Sequence, residues 1–281
     1  MKNERKLLMA TGSKTKIEAW NLLFHTCGID NVVVSLPEDM GLEHIEVTER
    51  DDAEATYFDN ALLKAKAYWD KYHVPVLADD SGLEIEKLDK WPGICTARCN
   101  GGERGAVSKF IVDKMRDYPD WNDRRCRYCT SAVFMDEFGH KFSCFMYREG
   151  FVAKEPAGNG NCVEVIFIPD NGRVPRDDDK HSRVTLGQMN EELRGGQQFQ
   201  AMCMYPLDAD MPKISFVNLM RVMSDTYSLT DKDDLDMDEF RETFKDILDY
   251  ITIKKLSDFD VRYMFGYPNN PQAMAECMLG L

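Results

Sequence analysis

Apolar runs and amphipathic stripes alternate along roughly the first 170 residues. Residues 6–11, KLLMAT, open onto Gly12 and predict a buried strand. The stretch that follows, to about residue 27, puts Ile17, Trp20, Leu23, Phe24 and Cys27 on one face of a helix. Residues 31–36, NVVVSL, predict a second strand, stopped by Pro37, and residues 38–55 are acidic without a period. A second helix follows over about 56–72, with Phe58, Ala61, Leu62, Ala65, Tyr68, Trp69 and Tyr72 on one stripe. Residues 74–78 predict a buried strand that ends at the acid pair Asp79-Asp80, with Ser81-Gly82 as a turn. Further elements are a helix over 105–115, a hairpin of 127–135 and 141–147 around Glu137-Phe138-Gly139, and a strand over 163–168. Strands alternating with helices predict an α/β core.

Near residue 190 the pattern changes. Residues 190–196, NEELRGG, read as a linker, and 214–223 and 240–251 as helices. In the latter, Phe240, Phe244, Ile247, Leu248 and Ile251 share a face, and Lys254-Lys255 suits a helix C-terminus. The expected organisation is an α/β domain over 1–190 and a helical extension over 191–281. No internal repeat is visible.

Composition narrows the partners. The 281 residues are 43% hydrophobic, enough for a substantial core, and 35 Lys and Arg face 49 Asp and Glu, a net charge of -14. That balance argues against non-specific binding to nucleic acid or an anionic membrane, but leaves room for a small anionic ligand. No apolar run is long enough to span a bilayer, and the start, MKNERKLLMATGSK, lacks the apolar stretch of a signal peptide. The expected location is therefore cytoplasmic. Nine cysteines, an odd number, then read as free thiols. Cys126 and Cys129 sit three apart on a predicted strand and point to opposite faces, so buried thiols are favoured over zinc, even with Cys95 and Cys99 as a second pair. The acidic run 231–239 fails as a calcium loop. Counted from Asp234, its sixth residue is Glu239 where Gly is needed, and its twelfth is Lys245 where a Glu belongs. A solvated acidic helix start is the better reading.

Three segments carry chemistry. Ala10-Thr11-Gly12-Ser13-Lys14-Thr15-Lys16 is a strand turning into a helix, where free N–H groups and Gly12 favour an anion, though an ordinary capped helix start explains it equally well. It is not a Walker A loop. Asp79-Asp80, with Asp51, Asp52 and Asp59 upstream, could hold Mg²⁺ against a phosphate, or could cap a turn. In the third segment, residues 91–98, Arg98 could reach an anion or simply lie on the surface.

Together these segments resemble the inosine triphosphate pyrophosphatase family. That family carries T-G-N-x-x-K, F-x-E-N-A-x-x-K-A, A-D-D-S-G-L, P-G-x-x-S-A-R and E-P-x-G-x-G in this order. This chain reads TGSKTK at 11–16, FDNALLKA at 58–65, ADDSGL at 78–83, PGICTAR at 92–98 and EPAGNG at 155–160. The resemblance covers about residues 5–190. It implies an elongated mixed sheet flanked by helices, a cleft between two lobes, and a homodimer. It also implies Mg²⁺-dependent conversion of a nucleoside triphosphate to its monophosphate and pyrophosphate. By position, Asp80 would be the catalytic and metal-binding acid, with Asp79 in support and Asp52 as the second metal ligand. Thr11, Gly12, Ser13 and Lys16 would hold the triphosphate, with Lys16 assisting catalysis and Ser81, Gly82 and Arg98 adding donors. The paired acids would be tolerable because a cation neutralises them.

Departures cluster where the family binds the base. After E-P-x-G-x-G the family continues F-G-Y/W-D-P, and here the same register reads Asn161, Cys162, Val163 and Glu164. The family's S-H-R appears as His181-Ser182-Arg183, with Ser and His exchanged. Ser13 also replaces the family's Asn, and Asp52 and Asp59 replace Glu. Losing a stacking ring and a directional donor changes what the pocket recognises. The phosphate half of the site reads as retained and the base half as rebuilt, with Glu164, His181, Ser182 and Arg183 as its remaining candidates. The leading expectation is a triphosphate pyrophosphohydrolase with selectivity altered from inosine and xanthine. The alternatives are a catalytically degenerate nucleotide- or partner-binding protein and a hydrolase of another phosphoanhydride.

Overall fold

The computed structural model describes residues 5–26, 30–102, 106–160, 162–170, 173–174, 182–188, 236–243, 245–255, 258 and 270–274. The expected linker at 190–196, the helix at 214–223 and the boundary at residue 190 lie outside these. The described residues form a seven-stranded mixed sheet. Its strands are β1 (Arg5–Met9), β2 (Val32–Ser35), β3 (Val76–Ile85), β4 (Pro92–Gly93), β5 (Arg125–Met135), β6 (Lys141–Val152) and β7 (Phe167–Pro169). The strand order is β2-β1-β3-β5-β6-β7, with β4 paired to β3. A separate ribbon joins β8 (Arg173–Val174) and β9 (Ser182–Arg183). The helices are α1 (Lys14–Thr26), α2 (Tyr57–Tyr72), α3 (Val107–Lys114), α4 (Met237–Thr243) and α5 (Lys245–Lys254). None of the described helices is long and apolar enough to cross a membrane. The mixed sheet flanked by helices is the α/β core expected from the alternating pattern.

The chain divides into two compact units. Unit 1 comprises Met1–Asp80, Ser131–Met146 and Tyr205–Leu281, and unit 2 comprises Ser81–Thr130 and Tyr147–Met204. In unit 1, β1 pairs in parallel with both β2 and β3. Even-numbered residues Leu8, Ala10, Val76 and Ala78 pack with Phe58, Ala61, Ala65 and Tyr68 of α2. Alternation along a strand therefore gives α2 the even face of β3 and leaves the odd face, with Leu77 and Asp79, to the side of Trp20 on α1. A capping box starts α2. The Thr56 side chain accepts from Asp59 N, and the Asp59 carboxylate accepts from Thr56 N. Asp59 is thereby occupied as a helix cap. In α4 the acidic start is realised: Asp236 Oδ1 accepts from Asp238 N, and both residues are exposed.

Unit 2 has its own core, with Leu83, Ile85, Ile111, Met115, Cys126, Val152, Ile166 and Phe167 among its buried residues. Arg124 is buried there and holds four carbonyls, donating to Val152, Met115, Tyr118 and Ala153. Burial pushes the Cys126 and Cys129 thiols up, as suits inert core cysteines.

Two expectations change. Residues 163–166 form a turn, and the expected strand begins only at Phe167, because Ile166 N and Phe167 N both bond back to the Val163 carbonyl. More consequentially, β3 does not end at the acid pair. It runs ten residues, through Asp79, Asp80, Ser81 and Gly82 to Ile85. Ser-Gly reads as a turn by composition, but here Gly82 admits a second backbone: β4 pairs antiparallel across Leu83 and Glu84. A Cβ at Gly82 would collide with the Gly93 carbonyl and lie 2.8 Å from Thr96 Oγ1. Gly82→Ala should therefore destabilise the fold by about 3 kcal/mol, the upper end for overpacking. Denaturant unfolding measures it, and an unchanged midpoint would refute the close approach.

Candidate active site

Because β3 stays extended through the acid pair, Asp79 and Asp80 point to opposite faces of the sheet. They do not form one doubly charged site. Each meets a lysine from a helix on its own side.

On the odd face, Asp79 is 3% exposed and pairs through Oδ1 with the Lys16 ammonium of α1. Its Oδ2 accepts the Trp20 indole N–H at 3.1 Å. Trp20, read from the sequence only as an apolar helix position, thus fixes the carboxylate that holds Lys16. An ammonium has three N–H bonds and Lys16 keeps part of its surface in solvent, so it still has donors for an anion. Just before it, Ser13 Oγ accepts from Lys16 N and Thr11 Oγ1 accepts from Ser13 N. The capped helix start and the anion site are therefore compatible. The caps shape the loop, and the first-turn N–H groups of α1 face outward from the helix end.

On the even face, Asp80 is 5% exposed. Its Oδ1 accepts from Lys64 Nζ at 2.9 Å, and Lys64 also donates to Glu49 Oε1 at 3.0 Å. Asp80 Oδ2 is buried and finds no hydrogen-bond partner among the described residues. Burial pushes the Asp80 carboxyl up to about 6, although Lys64 pulls the other way. Burial also works against the Lys64 ammonium, but Asp80, Glu49 and Asp79 outweigh it and hold the ammonium at about 12.

Glu49 was not singled out from the sequence, and Lys64 entered only as the lysine of the motif at 58–65, with no role assigned. Glu49 lies in an aperiodic acidic segment where no spacing distinguishes one acid from the next. Lys64 follows Asn60 by four residues, so the two share a face of α2, and this was the usable signal. Asn60 is fully buried, accepts from Arg50 N at 2.8 Å and donates to Arg50 O at 3.1 Å. By clipping the backbone next to Glu49, it sets that carboxylate against Lys64. Asp52, the expected second metal ligand, lies on the surface instead. It takes both Nε and NH2 of Arg50 at 2.8 Å, and that guanidinium holds its carboxyl below the usual range. The structure thus brings Glu49, not Asp52, to Asp80.

The remaining candidates belong to unit 2. Ser81 Oγ accepts from the Tyr128 hydroxyl at 3.3 Å, and Gly82 is occupied by the close approach of β4. Arg98 ends a short 3-10 turn, half-buried. Val163, at the family's aromatic position, is buried in the core of unit 2. Glu164 accepts from Cys162 N at 3.0 Å and so closes its own turn. His181 and the side chains of Ser182 and Arg183 lie outside the described residues, as does Asn161.

Asp80 and Glu49 are the residues that fit a cation. A buried carboxylate oxygen without a partner, a second carboxylate on the same lysine and an adjoining anion loop suit a hard ion that takes one or two carboxylates and completes its shell with substrate phosphates. Among the described residues, no group of three His, Cys, Asp or Glu forms a closed metal cage.

Comparison with known proteins places the chain in a family. The sequence model of the Ham1 family matches residues 7–199. A dITP/XTP pyrophosphatase of Oceanobacillus iheyensis is 31% identical over 171 residues, 59% of this chain and 82% of that protein. A dITP/XTP pyrophosphatase of Escherichia coli is 26% identical over 196 residues, 68% of this chain and 95% of that protein. Among solved structures, a HAM1 protein from Coxiella burnetii shares the fold with a TM-score of 0.53 and 20% identity, over 70% of this chain and 94% of that one. With its family motifs placed on β1, α1, α2 and β3 and the match spanning most of its length, the chain belongs to the Ham1 family of inosine triphosphate pyrophosphatase relatives.

Proposed function

We propose that the protein is a Mg²⁺-dependent nucleoside triphosphate pyrophosphohydrolase, converting a triphosphate and water to the monophosphate and pyrophosphate. The observation that carries this reading is Asp80: a buried carboxylate, paired with Lys64 on one oxygen and without a partner among the described residues on the other, beside Glu49. The names of the relatives support the substrate class.

In this reading the first-turn N–H groups of α1 and the Lys16 ammonium bind the phosphate chain. Asp79 and Trp20 hold Lys16 in place for it. Asp80 and Glu49 would hold the ion, which when bound offsets charge on the phosphate oxygens. Asp80 orients the attacking water and takes its proton as the water oxygen bonds to the α-phosphorus and the α–β bridge breaks.

Base selectivity differs from inosine and xanthine in this reading. Its support is that Val163 is taken up by the core and Glu164 by its own turn, so neither is presented to a base. Pyrophosphate release across ITP, XTP, UTP, dUTP and the four standard ribo- and deoxynucleotide pairs tests both parts. Release from none of them sinks the enzyme, and a clear preference for ITP or XTP sinks the altered selectivity. A homodimer belongs to the same reading, and a monomeric mass by sedimentation would remove it.

The proton and the cation compete for Asp80. A carboxyl with a folded pKa of about 6 is mostly ionised at pH 7 and mostly protonated at pH 5. Mg²⁺ affinity measured by calorimetry without nucleotide should therefore fall about tenfold from pH 7 to pH 5. Equal affinities would exclude Asp80 as a ligand.

A further inference from the structure

His44 has no role in the reading above, yet it stands beside the anion loop. Its Nδ1 is 3.2 Å from the hydroxyl of Tyr68. Tyr68 is 1% exposed, and its hydroxyl oxygen already accepts the Ile45 N–H at 2.8 Å. A main-chain N–H can only donate, so the buried hydroxyl's own hydrogen needs another acceptor, and His44 Nδ1 is the one that the described residues bring to it. This bond places the ring proton on Nε2. The ring also meets the loop at the start of α1. A carbon added at Gly12 would lie 3.6 Å from His44 Cε1, the atom bonded to both ring nitrogens. His44 and Gly12 are both exposed. Thus a donor of fixed tautomer, Nε2–H, lies one bond from the atom that packs on the loop.

We infer that His44 is a further substrate-binding residue, donating from Nε2 to a phosphate oxygen held at Thr11-Gly12-Ser13, and that Tyr68 is the positioning residue that sets its tautomer. The inference rests on the pyrophosphohydrolase reading, which places the phosphate chain at this loop. An imidazole N–H adds a directional donor there beside the Lys16 ammonium. Its contact is made equally in ground and transition states, so it bears on KM rather than kcat.

The test compares wild type with His44→Ala, His44→Gln and Tyr68→Phe. Two ligands are used with Mg²⁺: the nucleoside triphosphate that wild type turns over fastest in the panel above, for steady-state kinetics, and inorganic triphosphate for calorimetry. His44→Ala should raise KM about tenfold with kcat within about twofold, the size of a lost hydrogen bond to a charged group. It should weaken inorganic triphosphate by the same factor. His44→Gln, which can present an N–H near the position of Nε2, should recover most of that loss. Tyr68→Phe should raise KM about threefold, and the ¹⁵N ring shifts of His44 should change from the Nε2–H pattern to a mixture. An unchanged KM in His44→Ala, with wild type active, overturns the inference and leaves the pyrophosphohydrolase reading intact. A KM effect for the nucleotide without one for inorganic triphosphate would assign the contact away from the phosphates and equally overturn it. If wild type neither hydrolyses any nucleoside triphosphate of the panel nor binds inorganic triphosphate, the reading itself fails and takes the inference with it.

Discussion

Asp80→Asn should lower pyrophosphate release by about 10³-fold or more while leaving the melting temperature no lower than that of wild type. The two halves of this expectation have one cause. Asp80 Oδ2 is buried and unbonded among the described residues, and burial already pushes the carboxyl up to about 6. Keeping a charge there costs the fold stability, and the amide removes the charge without changing the shape. The same change removes the proton acceptor and the anionic ligand. The introduced amide would still accept from Lys64 through its remaining oxygen, so the local packing survives. Steady-state pyrophosphate release with Mg²⁺ and a thermal melt without it, both on the same preparation, check both halves. A variant with most of its activity would remove Asp80 from the chemistry. A variant that is inactive because it has melted would say instead that the carboxylate is structural.

Lys64→Met should have the largest effect on stability, a loss of about 2–4 kcal/mol at pH 8 without metal. Removing the ammonium leaves Asp80 and Glu49 with no shared cation, and unpaired buried charge is the expensive case. The figure is set below that of a fully buried pair because Lys64 and Glu49 side chains are 16% and 28% exposed. Its pH dependence has a definite sign. Lys64 pulls the Asp80 carboxyl down, so without it the folded value rises above about 6. A carboxyl raised by folding binds its proton more tightly folded than unfolded. Stability is therefore greatest at low pH and falls as pH rises from the ordinary carboxylate range through the folded value. The deficit of Lys64→Met should be small at pH 5 and full at pH 8, and millimolar Mg²⁺ should restore part of it at pH 8. Chemical denaturation at the two pH values, with and without Mg²⁺, measures all three. A deficit that is independent of pH would mean the loss is packing alone.

Much of this molecule was legible in its residue pattern, for local reasons. The strands at 5–9 and 32–35 and the helices at 14–26 and 57–72 follow from apolar runs and 3.6-residue stripes, which each segment states for itself. The family motifs likewise drew Lys16, Asp79 and Asp80 into one region, at the start of α1 and on β3. What local pattern misjudged was β3. Ser81-Gly82 has the composition of a turn, and only the arrival of β4 at Gly93 decides that Gly82 is instead a close approach inside a strand.

Tertiary structure then decided what the acid pair means. Residues adjacent in sequence point apart on a strand, so two neighbouring carboxylates became two separate sites with separate lysines. Glu49 displaced Asp52 beside Asp80 because Asn60, on the next helix, clips the backbone at Arg50, while the Arg50 side chain draws Asp52 to the surface. Trp20 became a hydrogen-bond donor because a buried carboxylate lay within reach of its ring. These assignments depend on which atoms come within about 3 Å across tens of residues of chain, a range over which hydrogen bonds act and spacing in sequence does not. The sequence by itself therefore determined the elements, the family and the glycine loop that opens α1. Only the packing of α1 and α2 on β3 determined which carboxylate is left with an unpartnered oxygen and which side chains surround it.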